Sequence, residues 1–142
     1  MSDRHLAELV VDLEAIAHNV RVFRKAAAPA GVMAVVKADA YNHGVDKVAP
    51  AMLDAGVEQL GVATLGEALQ LRELLRAKGE RYLHAPITAW MWMPTDDLRD
   101  VFAEEITIGI PSLAHARTLV EQAVRADAVS YTHLRAHETS LH

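Results

Sequence analysis

The 142-residue sequence contains no cysteine, so neither a disulfide framework nor a thiolate metal centre is open to it. It also lacks a lysine–arginine cluster. Fourteen basic residues stand against 19 acidic ones, a formal net charge of −5, which leaves no electrostatic footprint for nucleic acid or an anionic membrane. Long apolar runs are missing too. The opening Met1-Ser2-Asp3-Arg4-His5 leads into a short apolar run broken by Glu8 and Asp12, neither a secretory signal nor a membrane span. The expectation is a soluble, cytoplasmic protein. With 51% hydrophobic and 23% charged residues the balance is globular, which excludes a disordered chain. The length suits one ordinary domain and falls short of the ~250 residues of a complete α/β barrel.

Periodicity places the elements. Leu9-Val10-Val11 reads as a short strand, and Asp12 as the N-cap of a helix whose apolar face is Leu13, Ile16, Ala17, Val20 and Phe23. His18 and Asn19 read as ordinary side chains of that helix. Residues 31–36 form a run of small and β-branched residues, the pattern of a buried strand. A polar loop closing on Gly44 follows, and then a helix carrying Val45, Val48, Ala49, Met52 and Leu53, with Gly56 beyond its end. Residues 60–63 are the next strand. Thr64-Leu65-Gly66-Glu67 matches a capping box, in which the threonine hydroxyl and the glutamate each satisfy an end amide of a helix that Gly79 closes.

Further strands are expected at 82–87 and 106–110, with a short acidic helix over 96–105 and a helix opened by Pro111-Ser112. The carboxylates of the acidic helix read as a solvated face and not as a catalytic pair. Trp90-Met91-Trp92-Met93 is the densest apolar patch, and its tryptophans read as packing or interface surface in preference to cofactor stacking. Strand and helix alternating in units of about thirty residues make a βα repeat with a parallel sheet.

Against that frame one residue stands out. Lys37 ends the 31–36 run, at the carboxyl end of a parallel strand, where α/β folds gather their binding chemistry. An ammonium tethered there is costly to desolvate, and burial would lower its pKa towards a nucleophilic amine. By pattern alone, a solvated lysine with a buried stem remains the ordinary alternative.

The whole string Val35-Val36-Lys37-Ala38-Asp39-Ala40-Tyr41-Asn42-His43-Gly44 resembles the pyridoxal-phosphate lysine motif of bacterial alanine racemases, with Asn42 where the family usually has glycine. Asparagine tolerates positive φ, so the departure is mild. Residues 10–24 and the stretch from Gly61 to Leu75 resemble the family's flanking segments, in the family's order. The resemblance implies the first half of a (β/α)8 barrel of the alanine racemase type over residues 1–128, about four βα units. It implies that Lys37 carries pyridoxal 5′-phosphate and serves as one catalytic base, and that Tyr41 contacts the cofactor phosphate. It implies interconversion of L- and D-alanine for peptidoglycan by two-base proton transfer, in a homodimer whose second, mostly β domain lends the partner a tyrosine base. That tyrosine and the substrate-binding arginines lie outside this sequence, so the chain as written is expected not to racemise alanine. An amino-acid decarboxylase of the same fold type and a non-catalytic pyridoxal-phosphate carrier are the other readings; their lysine stretches differ from this one.

Residues 129–142 change character. Val129-Ser130-Tyr131-Thr132-His133-Leu134-Arg135-Ala136-His137-Glu138-Thr139 has no helical or alternating pattern. It resembles, residue for residue, the in-frame translation of a transposon-derived adapter used in sequencing libraries, so native sequence is expected to end near Ala128. A metal site on His133 and His137, four residues apart, is the alternative; it lacks a third ligand and the neighbouring glutamate of helical zinc sites.

Overall fold

A computed structural model describes residues 7–126. The chain runs α1 (Leu13–Ala27), β1 (Met33–Val35), a turn α2 (Lys37–Asn42), α3 (Val45–Asp54), β2 (Gln59–Thr64) and α4 (Leu65–Lys78). A 3-10 turn at Glu80–Tyr82 leads to β3 (Ile87–Met91), α5 (Arg99–Ala103), β4 (Thr107–Ile108) and α6 (Leu113–Arg125). The four strands form one sheet in the order β1-β2-β3-β4, every neighbouring pair parallel. Sequential, parallel and helix-linked, this is the arrangement of the first half of an α/β barrel.

Helix starts follow local chemistry. Asp12 accepts from the Ala15 amide at 3.0 Å, and the Ser112 side chain accepts from the His115 amide. Both halves of the Thr64–Glu67 capping box are formed. At the end of α3, Gly56 sits at φ +101, in the left-handed region that favours glycine, with the Arg24 guanidinium against it.

One face of the sheet holds the core. Ala34 and Val36, Leu60 and Val62, and Ile87 and Ala89 are buried, joined by Val48 and Ala49 of α3 and Ala68, Leu71 and Leu75 of α4. The cluster also takes in Leu98, Val101 and Leu119. Fully burying a valine, leucine or isoleucine stabilises a fold by roughly 1.5–3 kcal/mol, and an alanine by less. The opposite face is open: Met33, Val35 and Trp90 are each more than a third exposed. Trp90 lies across that face over glycines, and a Cβ at Gly61 would come within 2.4 Å of its ring. At Gly109 the gap would be 3.2 Å.

Arg72 is the buried charge of the core, 4% exposed. It projects from α4 and donates to three main-chain carbonyls: Leu83 at 2.8 Å, Ala85 at 2.9 Å and Glu104 at 3.1 Å. One rigid guanidinium fork thus satisfies the connections before and after β3.

Several element boundaries depart from the sequence expectation. Leu9 and Val10 form no strand and are 79% and 74% exposed, because no described strand pairs with them. Phe23, read as part of the buried face of α1, is exposed; Val20 is the buried residue of that helix. The strand expected over 82–87 begins only at Ile87, and Tyr82 instead ends a 3-10 turn, where its hydroxyl donates to Asp54. The sheet therefore runs through Trp90 and Met91. The acidic helix shrinks to Arg99–Ala103 and β4 to two residues. His18 and Asn19 lie exposed on α1, as expected. The expected boundary at residue 128, the tail and the His133–His137 alternative fall outside the described residues.

Replacing Arg72 with alanine would leave three half-buried carbonyls without this donor, at about 1 kcal/mol each. Urea unfolding of Arg72→Ala is expected to show a loss of about 3 kcal/mol. Arg72→Lys should recover only part of it, since an ammonium lacks the planar fork.

Candidate active site

Lys37 stands two residues beyond the end of β1, at the carboxyl edge of the sheet. What comes next is not an ordinary loop. Ala38, Asp39, Ala40, Tyr41 and Asn42 all have φ between +51 and +63, and the first four have ψ between 43 and 53. This is a left-handed turn built without glycine. Such backbone costs about 1–2 kcal/mol per residue, so it persists only where surrounding contacts over-determine it.

Those contacts can be named. The Val36 carbonyl accepts from Ala40, and the Asp39 carbonyl accepts from Gly44, at 3.0 Å each. The Asp39 carboxylate accepts from the Val45 amide at 2.8 Å, at the first turn of α3, and so acts as a cap from six residues upstream. His43 brings its Nδ1 to 3.0 Å from the carbonyls of both Ala40 and Tyr41. Ala40 is buried, which fixes the turn against the core. From the neighbouring βα unit, Glu67 accepts the Ala38 amide at 2.8 Å.

Tightly curled, the turn folds Tyr41 back towards its start, and the Lys37 ammonium stands 5.9 Å from the centre of the Tyr41 ring. The two residues singled out by sequence therefore share one small surface. Their surroundings differ from expectation: Lys37 is exposed, so the apolar burial foreseen for it is not supplied by the described residues. The reason is geometric, since among the described residues Met33 and Val35 of the same strand are also more than a third exposed on the open face. Tyr41, on the turn, is 54% exposed.

Glu67 and Asp39 are the residues that sequence reasoning missed. The capping box accounts for Glu67 so completely that nothing signals a second task, and an aspartate between two alanines carries no cap signature. Neither tryptophan meets the lysine turn through a described hydrogen bond. Trp92 is buried, donating to the Gly109 carbonyl at 2.6 Å and packing edge-on against His115. Among the described residues no group of three His, Asp or Glu side chains could hold a metal ion.

Partial burial pushes the Glu67 carboxyl up, but hydrogen bonds from the Ala38, Thr64 and Ala63 amides and the Thr64 hydroxyl outweigh it. The net effect holds Glu67 below the ordinary carboxylate value of 4.5. A depressed carboxylate contributes stability that is complete above its unfolded pKa and lost as pH falls through the folded one. Acid titration of stability is therefore expected to fall below pH 4.5, and to fall less steeply in Glu67→Gln. At Asn42, with φ +63, a β-branched residue is strained. Asn42→Val is expected to destabilise the chain by about 1–2 kcal/mol in thermal melts.

Comparison with known proteins places this geometry. An alanine racemase of Corynebacterium glutamicum is 46% identical over 111 residues, covering 78% of this chain and 29% of the relative. A crystal structure of alanine racemase from Corynebacterium glutamicum superposes with a TM-score of 0.69 at 47% identity, over 78% of this chain and 30% of that one. The alanine racemase of Bartonella henselae, solved with covalently bound pyridoxal phosphate, gives a TM-score of 0.72 at 30% identity, over 83% of this chain and 31% of that one. This chain thus spans about three-tenths of the length of these relatives. The family described as "Alanine racemase, N-terminal domain" matches residues 11–137, and the chain belongs to that family.

Proposed function

We propose that this chain is part of an enzyme that interconverts L- and D-alanine with pyridoxal 5′-phosphate, and that Lys37 is both the cofactor-bearing lysine and one of two catalytic bases. The observation that carries the reading is an exposed primary amine at the carboxyl edge of a parallel sheet, beside a phenol, on a turn fixed from both of its ends. The described residues fit the cofactor. Its aldehyde requires an accessible primary amine, which Lys37 offers, and its phosphate requires a hydrogen-bond donor, which the exposed Tyr41 hydroxyl offers. Covalently bound pyridoxal phosphate in the Bartonella henselae relative supports the same reading.

When bound, the cofactor withdraws electrons and makes the substrate Cα proton acidic enough to remove. The contribution of this chain is to hold the Lys37 Nζ where it can take or return that proton from one face. A flexible four-carbon stem lets the amine reach; the left-handed turn fixes where the stem begins. Tyr41, four residues on, would hold the cofactor phosphate through its hydroxyl. Inversion at Cα requires a second base on the opposite face, which the family resemblance assigns to a tyrosine of a second domain supplied by a partner subunit. A homodimer and a cytoplasmic location belong to the same proposal. Among the described residues no helix is long and apolar enough to cross a membrane.

Incubating the chain with pyridoxal phosphate, reducing with borohydride and mapping the modified peptide tests the assignment. Label is expected at Lys37 in preference to Lys25, Lys47 and Lys78, and is expected to vanish from that peptide in Lys37→Ala. Equal labelling of all lysines would make Lys37 an ordinary surface residue.

A further inference from the structure

Glu67 does more than cap a helix. In a capping box the glutamate returns to the N-cap amide, and here Oε2 does so, accepting from Thr64 at 3.0 Å and also from Ala63 at 2.9 Å. That oxygen serves α4 and the end of β2. The other oxygen, Oε1, is not used by the helix. It accepts the Ala38 amide at 2.8 Å, from a residue 29 positions earlier and on the preceding βα unit. Ala38 is the residue immediately after Lys37 and the first of the left-handed series.

We propose that Glu67 is a positioning residue for Lys37: its carboxylate clamps the Ala38 amide and so fixes the direction in which the lysine leaves the sheet. The inference rests on the assignment of Lys37 as the cofactor-bearing residue. Three features support it. The carboxylate is half-buried and accepts from three main-chain amides at once, so it has little freedom to turn away. It reaches the turn from the neighbouring strand–helix junction, and therefore ties the lysine to β2 as well as to β1. The clamp also falls at the point where the backbone crosses from right-handed to left-handed φ, between Val36 at −123° and Ala38 at +51°. Without an acceptor there, the Ala38 peptide is free to rotate and Lys37 swings with it.

Glutamine is the informative substitution. It keeps the length of the side chain but must point an NH2 group at one of the amides that the carboxylate now receives. Thr64→Ala is the matched control, because it removes the hydroxyl that accepts from the Glu67 amide and weakens the cap of α4 while leaving all three main-chain donors to the carboxylate, Ala38, Ala63 and Thr64, in place. The full chain and both variants would be labelled with pyridoxal phosphate, reduced and mapped, with the Lys37 peptide measured against those of Lys25 and Lys47. Amide hydrogen exchange at Ala38 would be followed in the same samples.

Glu67→Gln is expected to lower the Lys37 share of label about tenfold and to speed exchange at Ala38 by a similar factor. Thr64→Ala is expected to lower the melting temperature while leaving both readouts near those of the parent chain. Equal losses in the two variants would overturn the proposal and reduce Glu67 to a helix cap, as would a Glu67→Gln protein that labels like the parent. Should Glu67→Gln fail to fold, the parent chain still decides: an Ala38 amide that exchanges as freely as an unstructured one overturns the clamp. A parent chain unlabelled at Lys37 overturns the cofactor assignment instead, and exchange at Ala38 then judges the clamp alone.

Discussion

Everything in this chain hangs on one buried ladder. Ala34 and Val36, Leu60 and Val62, and Ile87 and Ala89 present small and branched side chains to the helices from three adjacent strands. Because the strands are parallel and in sequential order, this single apolar face fixes the register of every βα unit. It also decides where chemistry can occur. With helices filling one side, the free ends of the strands are the places where side chains from different units meet, and Lys37 stands at one of them.

The strand that leads to Lys37 is only three residues long, yet it is held at both ends by carboxylates from elsewhere. Glu58 accepts the Val32 amide at 2.8 Å just before the strand, and is itself gripped by Arg24 of α1. Glu67 accepts the Ala38 amide just after it. Both carboxyls are held below the ordinary carboxylate value. At Glu58 the Val32 amide does most of this, opposed by slight burial and assisted by Arg24. A short strand gains little from its own ladder bonds, and these two braces supply what length would otherwise provide.

How much of this could be read from the sequence depends on how local each cause is. Asp12, Ser112 and the Thr64–Glu67 pair act within one helical turn, and their roles were legible. Lys37 and Tyr41 were singled out through their motif, and the turn sets the lysine ammonium 5.9 Å from the centre of the Tyr41 ring. The left-handed backbone was not legible, because alanine and tyrosine disfavour it and a lone aspartate does not outweigh them; it is held by Glu67, Asp39 and the burial of Ala40. The third strand was misplaced by several residues for a related reason. Tyr82 and Leu83 are apolar enough for a strand, but Tyr82 is held by Asp54, a partner 28 positions away that no local pattern reveals. Exposure of Lys37 likewise reflects what faces the sheet and not what the lysine is attached to.

The indole of Trp90 binds three positions into one evolutionary unit. A Cβ at residue 61 would meet its ring at 2.4 Å and one at residue 109 at 3.2 Å, so the first position is closed to a side chain as the indole stands and the second is tight. A side chain at residue 61 therefore requires the indole to move or be replaced, and one at residue 109 requires it to give by a few tenths of an ångström. Conversely, losing the tryptophan first removes the ring that a side chain at 61 or 109 would meet. The order in which such changes arise decides whether each is harmful or neutral, so drift at these three sites is epistatic. Their identities are expected to vary together or not at all.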